Sequence, residues 1–278
     1  MTDPVALGHA RARARLERAG FLHEEAKAEL QERLIDVNRT FTAPAVVSPF
    51  PEFWADLVPG AKMVAPAEVL NLDEDAHDLI IHAMALHWAD DPVGQIVQCR
   101  RALRPDGLFL GASFGGETLT ELRTALAKAE VAILGGLSPR VAPMAEVRDM
   151  GGLLGRAGLN LPVADRLPKT VTYANAFDLI RDLRDMGETN ALADRHRKTP
   201  PRALFPQMAA TYAQTFPAQD DPTRIRATFE LIFLTGWAPH ESQQKPLRPG
   251  SAKGRLADAL KTTEFDEDAL PVLDRPDE

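Results

Sequence analysis

The sequence has little cysteine and no long apolar run. Its single cysteine, Cys99, cannot form an internal disulfide, which favours a reducing compartment. No stretch approaches the roughly 18 apolar residues of a membrane span. The N-terminus also lacks the apolar core of a secretory signal. These absences predict a cytoplasmic protein without a transmembrane segment.

The sequence also lacks the charge pattern of a nucleic-acid-binding protein and the spacing of a metal site. Its net charge is −8, whereas a general nucleic-acid binder usually carries a basic surface. His240 and Glu241 have no second pair of ligands at a suitable spacing, so we predict no metal ion. Hydrophobic residues make up 45% of the chain and charged residues 26%, as in ordinary globular proteins.

The clearest pattern lies between residues 78 and 123. Leu79-Ile80-Ile81 suits a strand that is buried on both faces. Asp90-Asp91-Pro92 is typical of a helix start, and Arg104-Pro105-Asp106-Gly107 of a helix end. A second apolar strand begins at Leu108. A helix that connects two buried strands predicts that these strands are parallel.

Other segments predict further strands. We expect a first strand within residues 41–50 and a second at 62–65. Residues 161–164 and 170–173 are predicted to be the two arms of an antiparallel pair. A last strand rich in β-branched and aromatic residues is predicted at 224–237. The fold class is therefore α/β, with an antiparallel edge on a mostly parallel sheet.

The domain organisation follows from the same patterns. We predict an N-terminal helical arm over residues 1–40 and one domain over 41–255. A helical insertion at about 175–222 would precede the last strand. Residues 256–278 are predicted to be a disordered tail, because they are acidic and carry little hydrophobic patterning.

Several motifs resemble a known family. The turn at 103–107 (LRPDG) is similar to the LxPDG turn before strand five of class I S-adenosylmethionine-dependent methyltransferases. A longer likeness is to the methyltransferase-fold assembly factor of respiratory complex I, in its bacterial branch. It is carried by LHWADDPVGQIVQCRRALRPDGLFLGASFGGETLTELR (86–123), GGLSPRVAP (135–143), LLGRAG (153–158), DLRDMGETN (182–190) and GWAPHESQQKPLRPGSA (236–252). Motifs this long and varied rarely coincide by chance.

The resemblance implies a fold, a partner and a chemistry. The implied fold is the Rossmann-like class I methyltransferase fold. The mitochondrial member of that family is associated with hydroxylation of an arginine on an iron–sulfur subunit of complex I. A peripheral-arm subunit of complex I is therefore the implied partner, and it would hold the chain at the cytoplasmic face of the inner membrane. The malonyl carrier-protein methyltransferase of biotin synthesis is a more distant alternative, since it lacks the GETN and HESQ stretches.

The cofactor half of that fold is altered in this sequence. Enzymes of the fold carry a motif close to [ED]-x-G-x-G-x-G after the first strand, so that the backbone can approach S-adenosylmethionine. Residues 43–56 read APAVVSPFPEFWAD and contain no glycine. Only about 30 residues separate the first strand from Asp78, so we predict that the third strand and its helix are missing. If the divergent loop still binds S-adenosylmethionine, the candidate ligands are Ser48, Glu68 and His82.

Two interpretations follow from the altered loop. In the first, the chain still binds S-adenosylmethionine and modifies a protein as an arginine hydroxylase or a methyltransferase. In the second, it is a pseudoenzyme that binds no cofactor and whose sheet serves as a scaffold. Because several independent cofactor features are missing together, the sequence favours the second interpretation.

Three residues are candidates for catalysis. His87 follows a predicted strand at the edge where open α/β sheets bind ligands, and a neutral histidine can accept a proton near pH 7. Glu188 and Asn190, in the loop MGETN, could bind a substrate arginine. The structural alternatives are a packed hinge for His87 and helix capping for Asn190.

A second group of residues is predicted to contact a partner. A polar run follows the last strand and combines donors, acceptors and an aromatic anchor, which are enriched at interfaces. Arg140, in the loop GGLSPRVAP, is expected to be exposed and to contact an acidic partner. The candidates are Arg140, Trp237, His240, Glu241 and Gln243.

Overall fold

The computed structural model describes residues 2–244 and residue 262. The helices are α1 (Pro4–Ala12), α2 (Leu16–Ala19), α3 (Phe21–Val37), α4 (Pro51–Trp54), α5 (Pro92–Ala102), α6 (Thr120–Leu134), α7 (Val147–Arg156), α8 (Ala176–Asp185) and α9 (Leu204–Thr215). The strands are β1 (Pro44–Val47), β2 (Lys62–Val64), β3 (His77–Ala83), β4 (Leu103–Phe114), β5 (Asn160–Tyr173) and β6 (Ile225–Trp237). A 3₁₀ turn spans Leu86–Trp88. The predicted tail lies outside the described residues, apart from Thr262.

The six strands form one sheet in the order β2-β1-β3-β4-β6-β5. β1 is parallel to both of its neighbours, since Val46 pairs with Met63 of β2 and with Ile81 of β3. β4 is parallel to β3, whereas β6 runs antiparallel to β4 and to β5. The predicted α/β class, with a mostly parallel sheet and an antiparallel edge, is confirmed.

The chain runs from β1 outward to β2 and then returns to β3 on the other side of β1. The strand order therefore reverses at β1, and open sheets bind ligands at such a point, beyond the carboxyl ends of the strands. Among the described residues, β2 is the edge strand on this side, and residues 65–76 contain neither helix nor strand. The sheet is thus one strand and one helix shorter than the methyltransferase sheet, as predicted.

The buried strands separate two layers of helices. Leu79 and Ile81 of β3 pack into a core with α3, α6, α8 and α9, whereas Ile80 packs on the opposite side with α5 and α7. Successive side chains of a strand point to opposite faces, so both faces of β3 must be apolar. This explains the uninterrupted apolar run that predicted the strand.

One strand differs from its prediction. Residues 161–164 and 170–173 do not pair with each other, because both belong to β5, and they pair along β6 at Val163↔Thr235 and Thr170↔Thr228. The prediction of an antiparallel pair within this segment is wrong. Within the described residues β5 is an edge strand that pairs with β6 alone, and an edge tolerates the proline at position 168.

The described helices include none with both the length and the hydropathy of a membrane-spanning segment.

Candidate functional site

The candidate site begins where β3 and β4 end. β3 stops at Ala83, and the next residue, Met84, adopts a left-handed conformation with φ of 51°. The chain then forms the 3₁₀ turn, which places the side chains of His87 and Trp88 at the carboxyl edge of the sheet. Ser113, near the end of β4, lies beside them: its Oγ is 3.4 Å from His87 Nδ1.

Glu188 connects this edge to the helical insertion. One of its carboxylate oxygens lies 3.2 Å from His87 Nε2 and accepts a 2.7 Å hydrogen bond from the indole N–H of Trp88. Because a carboxylate can only accept, His87 donates from Nε2 to make this bond. The structure thus brings together two of the three catalytic candidates, His87 and Glu188, from positions 101 residues apart.

A tight turn after α8 places the Glu188 side chain at the carboxyl edge of the sheet. Gly187 has a φ of 80°, and the Glu188 N–H donates to the Leu183 carbonyl oxygen at 2.8 Å. A Cβ at position 187 would lie 3.3 Å from both Phe50 Cζ and Ala14 Cβ. Glycine is needed here for its backbone conformation and for close packing against the N-terminal helices.

The charge of Glu188 is stabilised by its neighbours. Burial by itself would raise the pKa of Glu188, but the charge of His87 and the hydrogen bonds from His87 and Trp88 hold it below its usual value, with help from Arg11. Burial lowers the pKa of Arg11, and the nearby Glu188 carboxylate opposes that effect. Glu188 is therefore an anion at neutral pH within a cationic neighbourhood.

Aromatic side chains pack around the loop that follows β1. The rings of Phe50, Phe53 and Trp54 lie 5.4, 5.8 and 6.0 Å from the ring of His23 on α3. His23 is fully buried, and neither of its ring nitrogens has a hydrogen-bond partner among the described residues. Burial lowers the pKa of His23 to about 4, so the ring is neutral at pH 7.

The β1 loop offers fewer N–H donors than a glycine-rich loop. Two of them are already used within the protein: Ser48 N–H donates to the Val64 carbonyl oxygen at 2.9 Å, and Phe50 N–H donates to Ser48 Oγ at 3.2 Å. Pro49 and Pro51 have no N–H group to offer. None of the three described cavities is lined by residues 41–66.

The other two candidate cofactor ligands lie on neighbouring segments, since His82 pairs with Val47 of β1, one residue before Ser48. His82 is fully buried and its Nε2 is 2.7 Å from Gln95 Oε1 of α5, while its Nδ1 has no partner among the described residues. Burial lowers the pKa of His82 to about 4. Glu68 is exposed, and its carbonyl oxygen accepts a 2.9 Å hydrogen bond from the Gln98 side chain.

A cavity with mostly apolar walls lies farther along the edge, between β4, α6, α8 and the loop 135–146. Its volume is about 370 Å³. Phe114, Leu122 and Ile180 are among its apolar lining residues. The Glu188 carboxylate is its acidic group, and Asn190 lies at the same end. This is the mixture of apolar walls and few polar groups that is common in ligand sites.

The side chain of Asn190 forms hydrogen bonds that connect two loops beside the cavity. Its side-chain amide donates to the Pro139 carbonyl oxygen at 2.8 Å, and its side-chain oxygen accepts from Leu192 N–H at 3.0 Å. Both functional groups of the side chain are therefore occupied, in line with the structural alternative for this residue. Its position beside the cavity follows from those contacts.

Arg140 is not exposed as expected. Its side chain is 16% exposed, and its Nε donates to Glu130 Oε1 at 2.6 Å. Glu130 lies on the buried side of α6, and a buried carboxylate needs such a partner. Burial would raise the pKa of Glu130, but hydrogen bonds from Ser138 and Arg140 hold it below its usual value. The expectation that Arg140 is a free surface cation is wrong, and the residue lines the cavity instead.

The remaining partner-binding candidates lie at and beyond the end of β6. The Trp237 ring is half-buried, with the guanidinium of Arg39 6.0 Å from its centre. His240 and Glu241 are exposed and Gln243 is half-buried. Their role in partner binding stays a prediction.

Ser113, His87 and Glu188 follow one another as the serine, histidine and acid of a hydrolytic triad do. Unlike the serine of a triad, however, Ser113 is not accessible to a substrate. Ser113 is fully buried, its hydroxyl donates to the Phe114 carbonyl oxygen, and the His87 side chain is 1% exposed. A nucleophile must reach the substrate, and this serine cannot. The arrangement is instead suited to fixing the orientation of Glu188 at the cavity wall.

Sequence reasoning missed Arg11 and His23. Arg11 lies on α1, within the predicted N-terminal helical arm, where we predicted no site residue. His23 carried a usable signal, because it is three residues before Ala26 and seven before Leu30, on the apolar face of α3. A histidine on the buried face of a helix often has a shifted pKa, and shifted pKa values are common at functional sites.

Comparison with known proteins agrees with this architecture. The model of a family described as "Methyltransferase domain" matches residues 5–111. The solved structure of the YcgJ protein from Bacillus subtilis aligns with a TM-score of 0.47 at 12% identity, over 76% of this chain and 98% of that one. The strand order, with its reversal at β1 and its antiparallel edge, defines a Rossmann-like α/β class, and the family model matches the part of the chain that contains β1, β2 and β3.

The relatives narrow the assignment within that class. The chain is 33% identical to "Arginine-hydroxylase NDUFAF5, mitochondrial" of Danio rerio over 274 residues, which is 89% of this chain and 84% of that protein. It is 40% identical to the Dictyostelium discoideum protein of the same name over 198 residues, 71% of this chain but only 45% of that protein. The chain belongs to the NDUFAF5 family.

A second group of relatives is more distant. The malonyl-[acyl-carrier protein] O-methyltransferase of Xylella fastidiosa is 34% identical over 181 residues, which is 65% of this chain and 58% of that enzyme. The two groups share the fold and differ in their named activities.

Proposed function

We propose that this chain acts without methyl transfer, by binding a peripheral-arm subunit of respiratory complex I and assisting assembly or stability of the complex. The observation that carries the proposal is the position of Phe50. Its ring packs against His23 and reaches the backbone at Gly187, beside the end of β1 where the fold elsewhere holds S-adenosylmethionine. A side chain in that position competes with a cofactor for the same space.

The hydrogen bonds of the loop support the proposal. A glycine-rich loop binds a ligand through free N–H groups that point at it. In this loop Ser48 and Phe50 donate within the protein, and the two prolines between and after them have no N–H. A cofactor that used either of these N–H groups would break an existing bond.

Family membership supports the choice of partner. The likeness to the complex I assembly factor runs through segments that border the cavity and the end of β6, and the NDUFAF5 family is shown by the relatives. The residues that we propose for partner contact are Trp237 and His240 and, in the segment that follows, Glu241 and Gln243.

Calorimetric titration of the full chain with S-adenosylmethionine and S-adenosylhomocysteine tests the loss of cofactor binding. We expect no saturable heat and no thermal shift at millimolar concentration. Saturable binding with a micromolar Kd, about −8 kcal/mol, would overturn this part of the proposal.

Native electrophoresis of membranes from the host tests the partner. A tagged full-length chain should co-migrate with complex I assembly intermediates, and deletion of its gene should lower the amount of mature complex I. If deletion leaves complex I unchanged and the tag never co-migrates, the assembly role is wrong, whatever the result of the cofactor titration.

A second candidate function is S-adenosylmethionine-dependent modification of a protein arginine, by hydroxylation or methylation. The names of the relatives favour it. Mass spectrometry of peripheral-arm subunits with and without the gene would detect a lost oxygen or methyl group on arginine. Methylation of a malonyl carrier protein has weaker support. Rescue of a biotin auxotroph by this chain would be evidence for that activity.

A further inference from the structure

The cavity lined by Glu188 has largely apolar walls and an arginine-rich mouth. Arg184, Thr189, Asn190 and Arg195 line it and also line one or both of two neighbouring cavities, so they mark the mouth. The deeper walls come from β4 and from the apolar faces of α6 and α8. A ligand that enters here would meet cations first and hydrocarbon beyond them.

The charges of the lining do not balance. Its carboxylate, Glu188, is already bonded to His87 and Trp88, so it is not available to neutralise the mouth. Arg195 pairs with Asp3 at 2.8 Å, whereas Arg184 has no carboxylate within 4.0 Å in the described part of the chain. Positive charge is therefore left over at the opening.

Arg140 adds a cation to the wall of the cavity. Its Nε is bonded to Glu130, and its Nη2 is buried with no hydrogen-bond partner within residues 2–244. Its charge is therefore held inside the wall, and the exposed cation of the lining is Arg184.

The volume limits the size of the ligand. A cavity of roughly 150 Å³ can hold benzene, so the volume of about 370 Å³ corresponds to on the order of a dozen non-hydrogen atoms. We propose that this cavity binds a medium-chain monocarboxylate. Its carboxylate lies beside Arg184 and Arg195, and its apolar tail lies against Phe114, Leu122 and Ile180. The site does not depend on S-adenosylmethionine or on complex I.

Calorimetry with decanoate tests the ligand class. The full chain should bind decanoate saturably, bind decanol at least tenfold more weakly and show no binding of decylamine. Butanoate should also bind at least tenfold more weakly, because it leaves most of the apolar wall uncovered. Equal affinity for decanoate and decanol, or no saturable binding of decanoate at millimolar concentration, would overturn the proposal.

Two variants locate the site. Arg184 is exposed, so Arg184→Gln should fold normally and weaken decanoate binding at least fivefold without changing decanol binding. Arg148→Gln, at an exposed arginine of α7, is the matched control and should have no effect. Leu126→Trp should block both ligands by filling the cavity, with its folding checked by circular dichroism. Unchanged decanoate binding in Arg184→Gln and Leu126→Trp together would place the ligand elsewhere and refute the site.

Discussion

The carboxylate of Glu188 lies 3.2 Å from Nε2 of His87, across 101 positions of the chain. The bond joins the 3₁₀ turn after β3 to the turn after α8, and so it ties the helical insertion to the carboxyl edge of the sheet. Both side chains are nearly inaccessible, with 6% of Glu188 and 1% of His87 exposed. Glu188 lines the cavity, and His87 holds its carboxylate in place.

Glu188→Gln is expected to lower the free energy of unfolding by about 2 kcal/mol at pH 7, because the His87 and Trp88 donors lose a charged acceptor. The folded-state pKa of Glu188 lies below its usual value of 4.5, so this stabilisation is fully present above that pH. The difference between the variant and the parent should shrink as the pH falls below 4.5. Urea unfolding at several pH values measures it.

The matched control for this prediction is Glu32→Gln, at an exposed glutamate of α3. That change should alter the free energy of unfolding by less than about 0.5 kcal/mol. If Glu188→Gln behaves like Glu32→Gln, the Glu188–His87 bond contributes little to stability.

Local features of the sequence were predicted well, for physical reasons. Leu79 to Ile81 had to be a buried strand, because no residue in that run could face water on either side of a sheet. Pro92 follows Asp91, whose side chain accepts from Gly94 N–H at 2.8 Å and caps α5 as the sequence suggested. Such signals lie within a few residues of the structure that they specify.

Contacts between distant segments could not be predicted in this way. No periodicity links His87 to Glu188, and nothing in α1 indicated that Asp3 N–H would donate to the Ala191 carbonyl oxygen at 2.7 Å. The buried position of Arg140 likewise depends on Glu130, which looked like an ordinary surface glutamate of α6. The candidate site was found in part because two of its residues lie in recognisable motifs.

Gly187→Ala is expected to destabilise the fold by more than 1 kcal/mol. Its φ of 80° is strained for alanine, and the new Cβ would lie 3.3 Å from Phe50 Cζ and 3.4 Å from Arg11 Cα. Thermal unfolding measures the effect. Gly155→Ala is the control: it lies in α7 with nothing within 4 Å of the new Cβ, and it should stabilise by up to about 1 kcal/mol. Equal effects of both substitutions would contradict the tight packing at Gly187.

Phe50→Ala is expected to lower the free energy of unfolding by about 2 kcal/mol, since a half-buried ring is removed from between His23 and Gly187. It should not create affinity for S-adenosylmethionine, because Ser48 N–H stays bonded to Val64 and the two prolines still lack donors. Unfolding and calorimetric titration measure the two effects. Strong cofactor binding by the variant but not by the parent would identify Phe50 as the sole obstacle in the loop.

His23→Leu is expected to stabilise the protein at pH 7 by about 1 kcal/mol, because it removes two buried ring nitrogens that have no partner among the described residues. The gain should increase at lower pH. The unfolded state protonates this histidine near its usual pKa of 6.5, whereas the folded state does so only near 4, so the parent loses stability as the pH falls through that window. The loss amounts to about 3 kcal/mol, at ~1.4 kcal/mol for each pH unit. Burial is the main cause, and the Arg11 and His87 charges add to it while Glu188 opposes it.

His23→Gln separates the two contributions to this effect. It cannot titrate, so its unfolding free energy should show the same flatter pH dependence as His23→Leu. It keeps polar atoms in the same apolar surroundings of Phe50, Phe53 and Trp54, so it should not share the gain at pH 7. Urea unfolding of the three proteins between pH 4 and pH 7 measures both effects. A loss of stability in His23→Leu at pH 7 would show that the ring nitrogens are hydrogen-bonded in solution, and the expected gain would then be wrong.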